Sequence, residues 1–197
     1  CRKEDSIRAI SQRIKVSYGW TYKWIRELAK QGMVRLTRMK VYLNEHNEFY
    51  QKSIHYIKTI GARVSFYYEV LPLLGIKYRF TKTDAVYLWT KGGYNIARYQ
   101  EYYPIFIDID KKDQAVFEWY CSKLRLPIDK NKGIFYQVQY VDTIHAADCD
   151  GYSVEPLEAT IDFMKKYIYN FMPALEMINE RYGKNIPVRY REAVTNV

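Results

Sequence analysis

The aspartates Asp108 and Asp110 come closer to a catalytic metal site than any other pair in this sequence. Alternate residues of a strand lie on one face, so both carboxylates could hold Mg²⁺ for phosphoryl transfer, with Gly92-Gly93 as a phosphate-binding turn. Three features oppose this interpretation. The glycines follow a predicted helix and suit its C-terminal cap, Asp110 begins a Lys-rich turn, and no third acid is clearly placed. The pattern therefore favours a structural strand, and we assign no metal ligand.

Residues 145–151 form a second cluster, in which a histidine, two aspartates and a cysteine lie close together. These side chains are all ligands of transition metals, but their spacing matches no familiar site. Asp150-Gly151 is also a typical two-residue hairpin turn, which is the interpretation we favour. The sequence has no G-x-S-x-G motif and no cysteine beside an evident base, so nothing supports nucleophilic catalysis. We expect no catalytic residue, no metal and no cofactor.

The net charge of +9 is concentrated near the start of the chain. Residues 1–60 hold 13 Lys and Arg residues against 5 Asp and Glu residues, a net charge of +8, whereas residues 61–197 hold 18 against 17, a net charge of +1. Such an excess is typical of proteins that bind polyanions, because neutralising phosphates releases counterions. A solvated basic surface explains the charge equally well, so the pattern of residues within the segment must decide.

Composition indicates a folded protein outside the membrane. With 197 residues, 48% of them hydrophobic and 17% aromatic, the chain can bury a substantial core. No apolar run approaches the roughly 18 residues that cross a bilayer, and residues 1–5 lack the apolar stretch of a secretory signal. The three cysteines are far apart and form no C-x-x-C motif, so we expect reduced thiols and a cytoplasmic location. Because the first residue is Cys1 rather than Met, we expect the chain to be part of something longer.

The basic segment predicts two short helices around a tight turn. Asp5 or Ser6 can cap a first helix over residues 7–15, whose isoleucines recur at three- and four-residue spacing. A second helix follows over residues 20–31 and ends at Gly32. One side of this second helix carries Thr21, Ile25 and Leu28 with Trp24 beside them, and the other side carries Tyr22, Lys23, Arg26 and Lys30. The pattern predicts a helix-turn-helix with one apolar face and one basic, aromatic face.

Residues 33–43 alternate apolar with basic or polar side chains at a period of two. This pattern predicts a strand or strand pair with one solvent-exposed, positively charged side. In the order helix, turn, helix, glycine and basic β segment, residues 5–45 resemble the winged helix-turn-helix family of bacterial and archaeal regulators. The most specific part of the match is residues 14–28, followed by Gly32-Met33-Val34. That family normally has a further helix before the position of Ile7, which this sequence lacks.

The resemblance implies that the second helix lies in the major groove of DNA and that the hairpin contacts the backbone or the minor groove. Phosphate contacts in the first turn are expected from Ser17, Tyr18 and Thr21, contacts to base edges from Trp20, Tyr22, Lys23 and Arg26, and further phosphate contacts from Lys30, Arg35, Arg38 and Lys40. Two alternatives stay open. Thr21 also suits the core, and a tryptophan at the position of Trp20 often packs between helices.

A connecting helix is predicted over residues 44–62. Asn44 or Asn47 can cap it, its apolar residues recur at helical spacing, and Gly61 ends it. Winged-helix proteins often dimerise through such a helix, and a two-fold protein suits a palindromic operator, so a homodimer is one expectation and packing onto the next domain is the other. The predicted domains are a winged helix-turn-helix at 1–45, a connecting or dimerisation helix at 46–62 and an α+β domain at 63–197.

The remainder of the chain predicts a mixed α+β domain with a long C-terminal helix. Strand-like runs cover residues 63–70, 105–109 and 134–141, and helical patterns cover residues 83–91, 113–124 and 155–182. Glycines and prolines punctuate these runs, and the last helix is expected to bend or split before Pro173. The predicted fold class is therefore α+β.

A second resemblance concerns residues 78–88, 103–107 and 151–160, followed by the long terminal helix. In this order they look like the antitoxins of abortive-infection (AbiE-type) toxin–antitoxin pairs. Those proteins have a winged-helix N-terminus that represses its own promoter and a C-terminal domain that counteracts a nucleotidyltransferase toxin. The resemblance implies autorepression, a protein partner for the α+β domain and no chemistry in this chain.

The leading hypothesis is a sequence-specific double-stranded DNA-binding protein that regulates transcription. The alternative is a metal-dependent nucleic-acid enzyme, nucleotidyltransferase- or nuclease-like, that uses Asp108 and Asp110; the missing third acid and the poor glycine context oppose it. A third hypothesis is stacking of single-stranded nucleic acid on the 21 tyrosines, which the near-neutral charge of residues 61–197 opposes. The expected partners are double-stranded DNA, a second copy of the chain and a protein partner for the α+β domain, without a membrane.

Overall fold

The structure is a computed structural model that describes residues 3–38, 40–60, 63–96, 98–99 and 101–187. It confirms the predicted mixed α+β class. Contacts group the chain into two compact units, the first built from residues 1–75 and 115–126 and the second from residues 76–114 and 127–197. These units are defined by contacts, whereas the predicted domains follow local sequence pattern.

The helices and strands are numbered in chain order. They are β1 (Glu4–Asp5), α1 (Ile7–Arg13), α2 (Tyr18–Lys30), β2 (Val34–Leu36), β3 (Val41–Leu43), α3 (Glu48–Ile60), α4 (Val64–Val70), β4 (Tyr78–Phe80), α5 (Lys82–Trp89), β5 (Tyr102–Asp110), α6 (Gln114–Leu124), β6 (Gly133–Val141), β7 (Ala147–Cys149), β8 (Tyr152–Val154), α7 (Leu157–Lys166) and α8 (Ile168–Tyr182). Single turns of 3₁₀ helix follow α4 and β5.

The start of the first unit consists of α1, α2 and a small antiparallel sheet in which β3 lies between β1 and β2. Serines begin both helices: Ser6 Oγ accepts from the Ala9 N–H at 3.1 Å, and Ser17 Oγ accepts from the Trp20 N–H at 3.4 Å. Each side chain satisfies a backbone donor that the first helical turn leaves unpaired. The two predicted helices and the strand pair are therefore present. Strand β1, two residues long, is too short for a period-two pattern to reveal it.

One buried residue from each of α1, α2, β2 and β3 builds the core of this region. These residues are Ile10, Ile25, Val34 and Val41, and Leu28 packs against them. Because Ile25 is fixed in this core, the rotation of α2 about its own axis is fixed as well. The core therefore determines which residues of α2 face outward.

Helices α3, α4 and α6 complete the first unit, and one of them replaces a predicted strand. The strand predicted over residues 63–70 is wrong, because Val64–Val70 form α4. Aromatic and β-branched residues favour strands, but Tyr67, Leu71 and Leu74 are buried at the spacing of one helical face. Packing of that face outweighs the local preference.

The predicted connecting helix begins at Glu48, with Asn47 as its cap. Asn47 Oδ1 accepts from the Tyr50 N–H at 3.1 Å, which selects Asn47 rather than Asn44 as the capping residue. The predicted end of this helix at Gly61 lies outside the described residues.

The second unit is built around a five-stranded mixed sheet in the order β6-β5-β4-β8-β7. Strand β5 pairs parallel with β6 and antiparallel with β4, while β8 pairs parallel with β4 and antiparallel with β7. Both long predicted strands are confirmed and are longer than predicted, each with nine residues. Ile105, Ile107 and Ile109 of β5 are buried, which explains the apolar run around the two aspartates.

Two glycine-containing turns have the conformations that favour glycine. Gly92 follows α5 with a φ of +79°, and its N–H donates to the Tyr87 carbonyl at 2.8 Å, so it closes the helix as predicted. Asp150 and Gly151 connect β7 to β8 with φ values of +53° and +86°. Positive φ at both positions is the requirement of a type I′ hairpin turn, so that prediction is also confirmed.

The long C-terminal helix is split into α7 and α8 at Tyr167, whose backbone φ and ψ are −119° and 43°. The predicted break therefore exists, but it precedes Pro173 by more than a helical turn. Pro173 lies inside α8, where it lacks the N–H that would otherwise donate to the Tyr169 carbonyl.

Helix length bears on the predicted absence of a membrane partner. The helix α8 has 15 residues, and α2 and α3 have 13 each. A membrane-spanning helix takes about 20 mostly apolar residues. In the part of the chain that the structure describes, no helix combines the length and the apolar character that a membrane span needs.

Candidate nucleic-acid interface

Helix α2 carries most of the predicted DNA-contacting residues, and its buried side is narrow. Thr21 and Ile25 are buried, Leu28 and Ala29 are half-buried, and the remaining residues of the helix are exposed. Tyr18, Trp20, Tyr22, Lys23, Arg26 and Lys30 are therefore all accessible, as is Ser17 at the helix start.

Thr21 differs from the other predicted contacts. Its side chain is 3% exposed, and its hydroxyl donates to the Ser17 carbonyl at 3.0 Å. A hydroxyl turned into the core cannot reach a phosphate, so the structure places Thr21 among the core residues. Spacing alone could not separate the two roles, since Thr21 is four residues before Ile25 and also in the first turn of the helix.

The outward side of α2 holds two aromatic pairs, each with a cation beside it. Tyr18 and Tyr22 are stacked with centroids 6.3 Å apart, and the Arg26 guanidinium lies 5.9 Å from the Tyr22 ring. Stacking across one helical turn holds these flat side chains in place. Tyr18, Tyr22 and Arg26 therefore form one continuous row along the helix.

Trp20 and Trp24 form the second pair, with centroids 5.9 Å apart and the Lys23 ammonium 5.8 Å from the Trp20 ring. Trp20 is 57% exposed and Trp24 is 53% exposed, so neither packs between the helices. Trp24 was predicted to lie beside the apolar face and was missing from the predicted contacts. Trp24 lies four residues after Trp20, and this spacing is the sequence signal that could have placed both rings on the same side of the helix.

Two of the predicted phosphate contacts are paired with acids. The Lys30 ammonium lies 2.8 Å from Glu27, and this hydrogen bond lowers the pKa of the Glu27 carboxyl. Lys40 is paired with Glu4, which raises the pKa of the Lys40 ammonium. Both pairs are exposed, so they are weak and do not prevent either lysine from contacting a phosphate.

The hairpin of β2 and β3 presents the other two cations. Its turn is closed by Thr37, whose N–H and Oγ1 both donate to the Lys40 carbonyl, at 2.8 and 3.0 Å. Arg38 is exposed at this turn. Arg35 is exposed on β2, and its guanidinium lies 4.8 Å from the Tyr42 ring on β3. A groove of about 600 Å³ that Arg35 and Tyr42 help to line separates the hairpin from the C-terminal end of α2.

The aspartates that the enzyme hypothesis requires are engaged with other groups. Asp108 is buried, and its Oδ2 accepts from Arg79 Nε at 2.8 Å and lies 2.7 Å from Arg79 Nη2. Asp110 is also buried, and its Oδ1 accepts from the Lys112 N–H at 2.9 Å. An arginine thus bonds to one oxygen of Asp108, and a backbone amide bonds to one oxygen of Asp110. This arrangement matches the structural strand that the sequence favours.

Residues 145–151 form a turn and not a ligand cluster. The His145 carbonyl accepts from Arg79 Nη1 at 2.9 Å, Asp148 accepts from the Gly151 N–H at 3.3 Å, and Asp150 lies 3.1 Å from Lys91. Within the described residues, no group of three or more His, Cys, Asp and Glu side chains is arranged to hold a metal ion.

The two cysteines that the structure describes are buried, and burial explains their presence without a reactive role. Cys121 and Cys149 are buried free cysteines, and burial raises the pKa of each thiol. A raised pKa keeps the thiol protonated and unreactive near neutral pH. Cys1 lies outside the described residues. The two described cysteines are therefore structural.

Comparison of the chain with protein-family models, with curated proteins and with solved structures gave no match.

Proposed function

We propose that this chain is a sequence-specific double-stranded DNA-binding protein that regulates transcription, with α2 in the major groove and the β2–β3 hairpin on the backbone. The observation that carries the proposal is the outward side of α2. Lys23 and Arg26 are exposed there, and within the described residues neither forms an ion pair with an acid. Such cations are available to neutralise phosphates.

The element order supports the same conclusion. Two short helices joined by a tight turn, followed by an antiparallel hairpin with β1 at its side, match the plan of the winged helix-turn-helix. In that plan the N-terminal half of the second helix approaches base edges. A Cβ atom added at Gly19 would meet no atom within 4 Å, so nothing covers the first turn of α2 at this position.

The aromatic pairs suit base contacts better than phosphate contacts. Tyr and Trp rings offer apolar edges for the thymine methyl group and polar tips that can bond to base edges. The rings of both aromatic pairs are also in contact before DNA arrives, which lowers the entropy lost on binding. We therefore assign sequence preference to Trp20, Tyr22 and Trp24. Lys23 and Arg26, for which the sequence predicted contacts to base edges, are assigned non-specific affinity in this proposal.

The test is binding to labelled duplex DNA, measured by fluorescence anisotropy across a salt series. The wild-type chain is compared with the double variant Lys23→Ala, Arg26→Ala. Each phosphate contact contributes about 0.9 to the slope of log K against log salt, so the double variant should flatten the slope by about 2. The matched control is Lys165→Ala, Lys166→Ala, which removes the same charge from two exposed lysines of α7 in the second unit.

The control should keep the wild-type slope. If the two double variants lost equal DNA affinity and salt slope, net charge alone would drive binding, and that result would contradict the assignment to α2. A selection of bound sequences from a random duplex library then tests sequence preference. Trp20→Ala should lose that preference with little change in salt slope, since a ring neutralises no phosphate.

A further inference from the structure

Helices α3, α4 and α6 of the first unit enclose a cavity of about 410 Å³. This volume lies within the range of about 300–1,000 Å³ that is typical of small-molecule sites. Most of the wall is apolar, with Ile54 from α3, Phe66 and Val70 from α4, and Leu124 from α6. A ligand for this cavity must therefore have an apolar body.

Besides two tyrosines and a tryptophan with polar tips, the described residues of the wall include two charged side chains, a cation and an acid. Lys123 on α6 is half-buried, whereas Glu69 on α4 is exposed to solvent. The Lys123 ammonium lies 3.1 Å from Glu45 Oε1 and 5.8 Å from the Trp119 ring. An anionic group at one end of the ligand is the natural complement of this ammonium.

Glu45 is a poorly bonded partner for Lys123. Its Oε1 atom is buried and, within the described residues, makes no hydrogen bond, because the contact with Lys123 lacks hydrogen-bond geometry. A charge-assisted hydrogen bond is worth more than such a contact. A ligand carboxylate that meets the ammonium directly can therefore replace Glu45.

We propose that this cavity binds a small amphipathic anion, with an apolar body among α3, α4 and α6 and a carboxylate on Lys123 in place of Glu45. A medium-chain fatty acid has this chemistry. The site lies outside α2 and the hairpin, so anion binding can be measured without DNA and does not require that the chain bind DNA.

Displacing Glu45 would act on the segment that joins α3 to the end of α2. Asn44 Nδ2 donates to the Gly32 carbonyl at 2.9 Å, and Asn47 Nδ2 donates to the Gln31 carbonyl at 2.9 Å. Glu45 lies between these two asparagines in the chain. Ligand binding would therefore disturb the hydrogen bonds to the Gln31 and Gly32 carbonyls, which directly follow α2, and this links the site to the helix of the proposed DNA interface.

The test is displacement of the fluorescent anion 8-anilinonaphthalene-1-sulfonate from the whole chain without DNA. Decanoate, decylamine and decanol have similar apolar bodies and differ in charge. Decanoate should displace the dye about tenfold more strongly than decanol, as one charge-assisted hydrogen bond predicts, and decylamine should be the weakest. Equal displacement by decanoate and decylamine would overturn the assignment of an anion.

Two substitutions at one ion pair should act in opposite directions. Lys123→Gln should weaken decanoate binding about tenfold, whereas Glu45→Gln should strengthen it because the competing carboxylate is gone. A purely structural ion pair would make both variants bind worse, and that result would contradict the proposal. The control is Lys111→Gln, which breaks the exposed pair with Asp142 in the second unit and should change nothing.

A third variant keeps the fold intact and reports on the cavity itself. Leu73 lines the cavity but is 75% exposed, so Leu73→Glu should leave the fold unchanged and repel an anion. Circular dichroism checks the fold. Unchanged decanoate binding in Leu73→Glu would place the ligand elsewhere. Absence of dye binding together with a dimer in light scattering would show that a second copy covers the cavity, and would overturn the proposal.

Discussion

Asp84 and Arg98 form a buried ion pair in the second unit, and its removal should be among the most destabilising changes in the chain. Asp84 is 0% exposed and the Arg98 side chain is 3% exposed, with 2.6 Å between Asp84 Oδ1 and Arg98 Nη1. Asp84 Oδ2 also accepts from the Phe106 N–H at 2.8 Å, which ties α5 to β5. The Arg98 guanidinium lies 4.6 Å from the Tyr103 ring.

The substitution Arg98→Met leaves the Asp84 carboxylate buried without its cation. Breaking a buried pair from one side costs about 3–5 kcal/mol, so this variant should lose that much free energy of unfolding. Asp84→Asn keeps an acceptor for the Phe106 N–H and leaves the cation against an aromatic ring, so we expect a smaller loss of about 2–3 kcal/mol. The double variant buries no charge and should lose less than the sum of the two, with a coupling of about 2–3 kcal/mol.

The assay is urea unfolding of the four proteins followed by far-ultraviolet circular dichroism. The control is Lys111→Met, which breaks the exposed pair with Asp142 and should change the free energy of unfolding by less than about 0.5 kcal/mol. If Arg98→Met and Asp84→Asn each lost less than about 1 kcal/mol in free energy of unfolding and the two losses were additive, that result would refute the argument, because water would then reach the pair.

Three further predictions concern single side chains. Thr21→Val removes the buried hydrogen bond to the Ser17 carbonyl, so urea unfolding should show a loss of about 1 kcal/mol, while anisotropy shows unchanged DNA affinity; weaker DNA binding would return Thr21 to the interface. Burial raises the pKa of Glu155 above 4.5. The charged form of this side chain therefore lowers the free energy of unfolding, and this loss develops as pH rises through the folded-state pKa. Glu155→Gln should therefore raise Tm at pH 7 and lose this advantage at pH 4, and a gain that is the same at both pH values would exclude this cause. Glu27→Gln removes the negative charge of α2, which repels phosphates, so anisotropy should show DNA binding about two- to fivefold tighter, whereas weaker binding would mean that Glu27 positions Lys30 on DNA.

The local part of the fold was predictable because short-range signals determine it. Three kinds of signal act within four residues and have the predicted conformation: the Ser6 cap, Gly32 and Gly92 after their helices, and the Asp150-Gly151 turn. Residues 63–70 were not predictable in this way. Their aromatic and β-branched composition favours a strand, whereas they form a helix that buries Tyr67, Tyr68 and Val70.

The long-range part of the fold carries no comparable local signal. The pairing of Asp84 with Arg98 joins residues on either side of the predicted glycine turn, and the pairing of Asp108 with Arg79 joins two strands whose register was unknown. A sequence shows that an acid exists but not whether an arginine neutralises it. This is why the D-x-D pattern alone could suggest a metal site, whereas the structure shows that Arg79 pairs with Asp108.

The candidate interface shows the same limit on a smaller scale. Helical spacing predicted which side of α2 is apolar, but Trp24 lies at the border of that side, where a small rotation of the helix exchanges buried for exposed. The core residue Ile25 sets the rotation, and with it Thr21 turns inward and Trp24 outward. The set of rings that face DNA in our proposal thus depends on a packing contact on the opposite side of the helix. A substitution in that core should therefore change DNA recognition without touching a single interface residue.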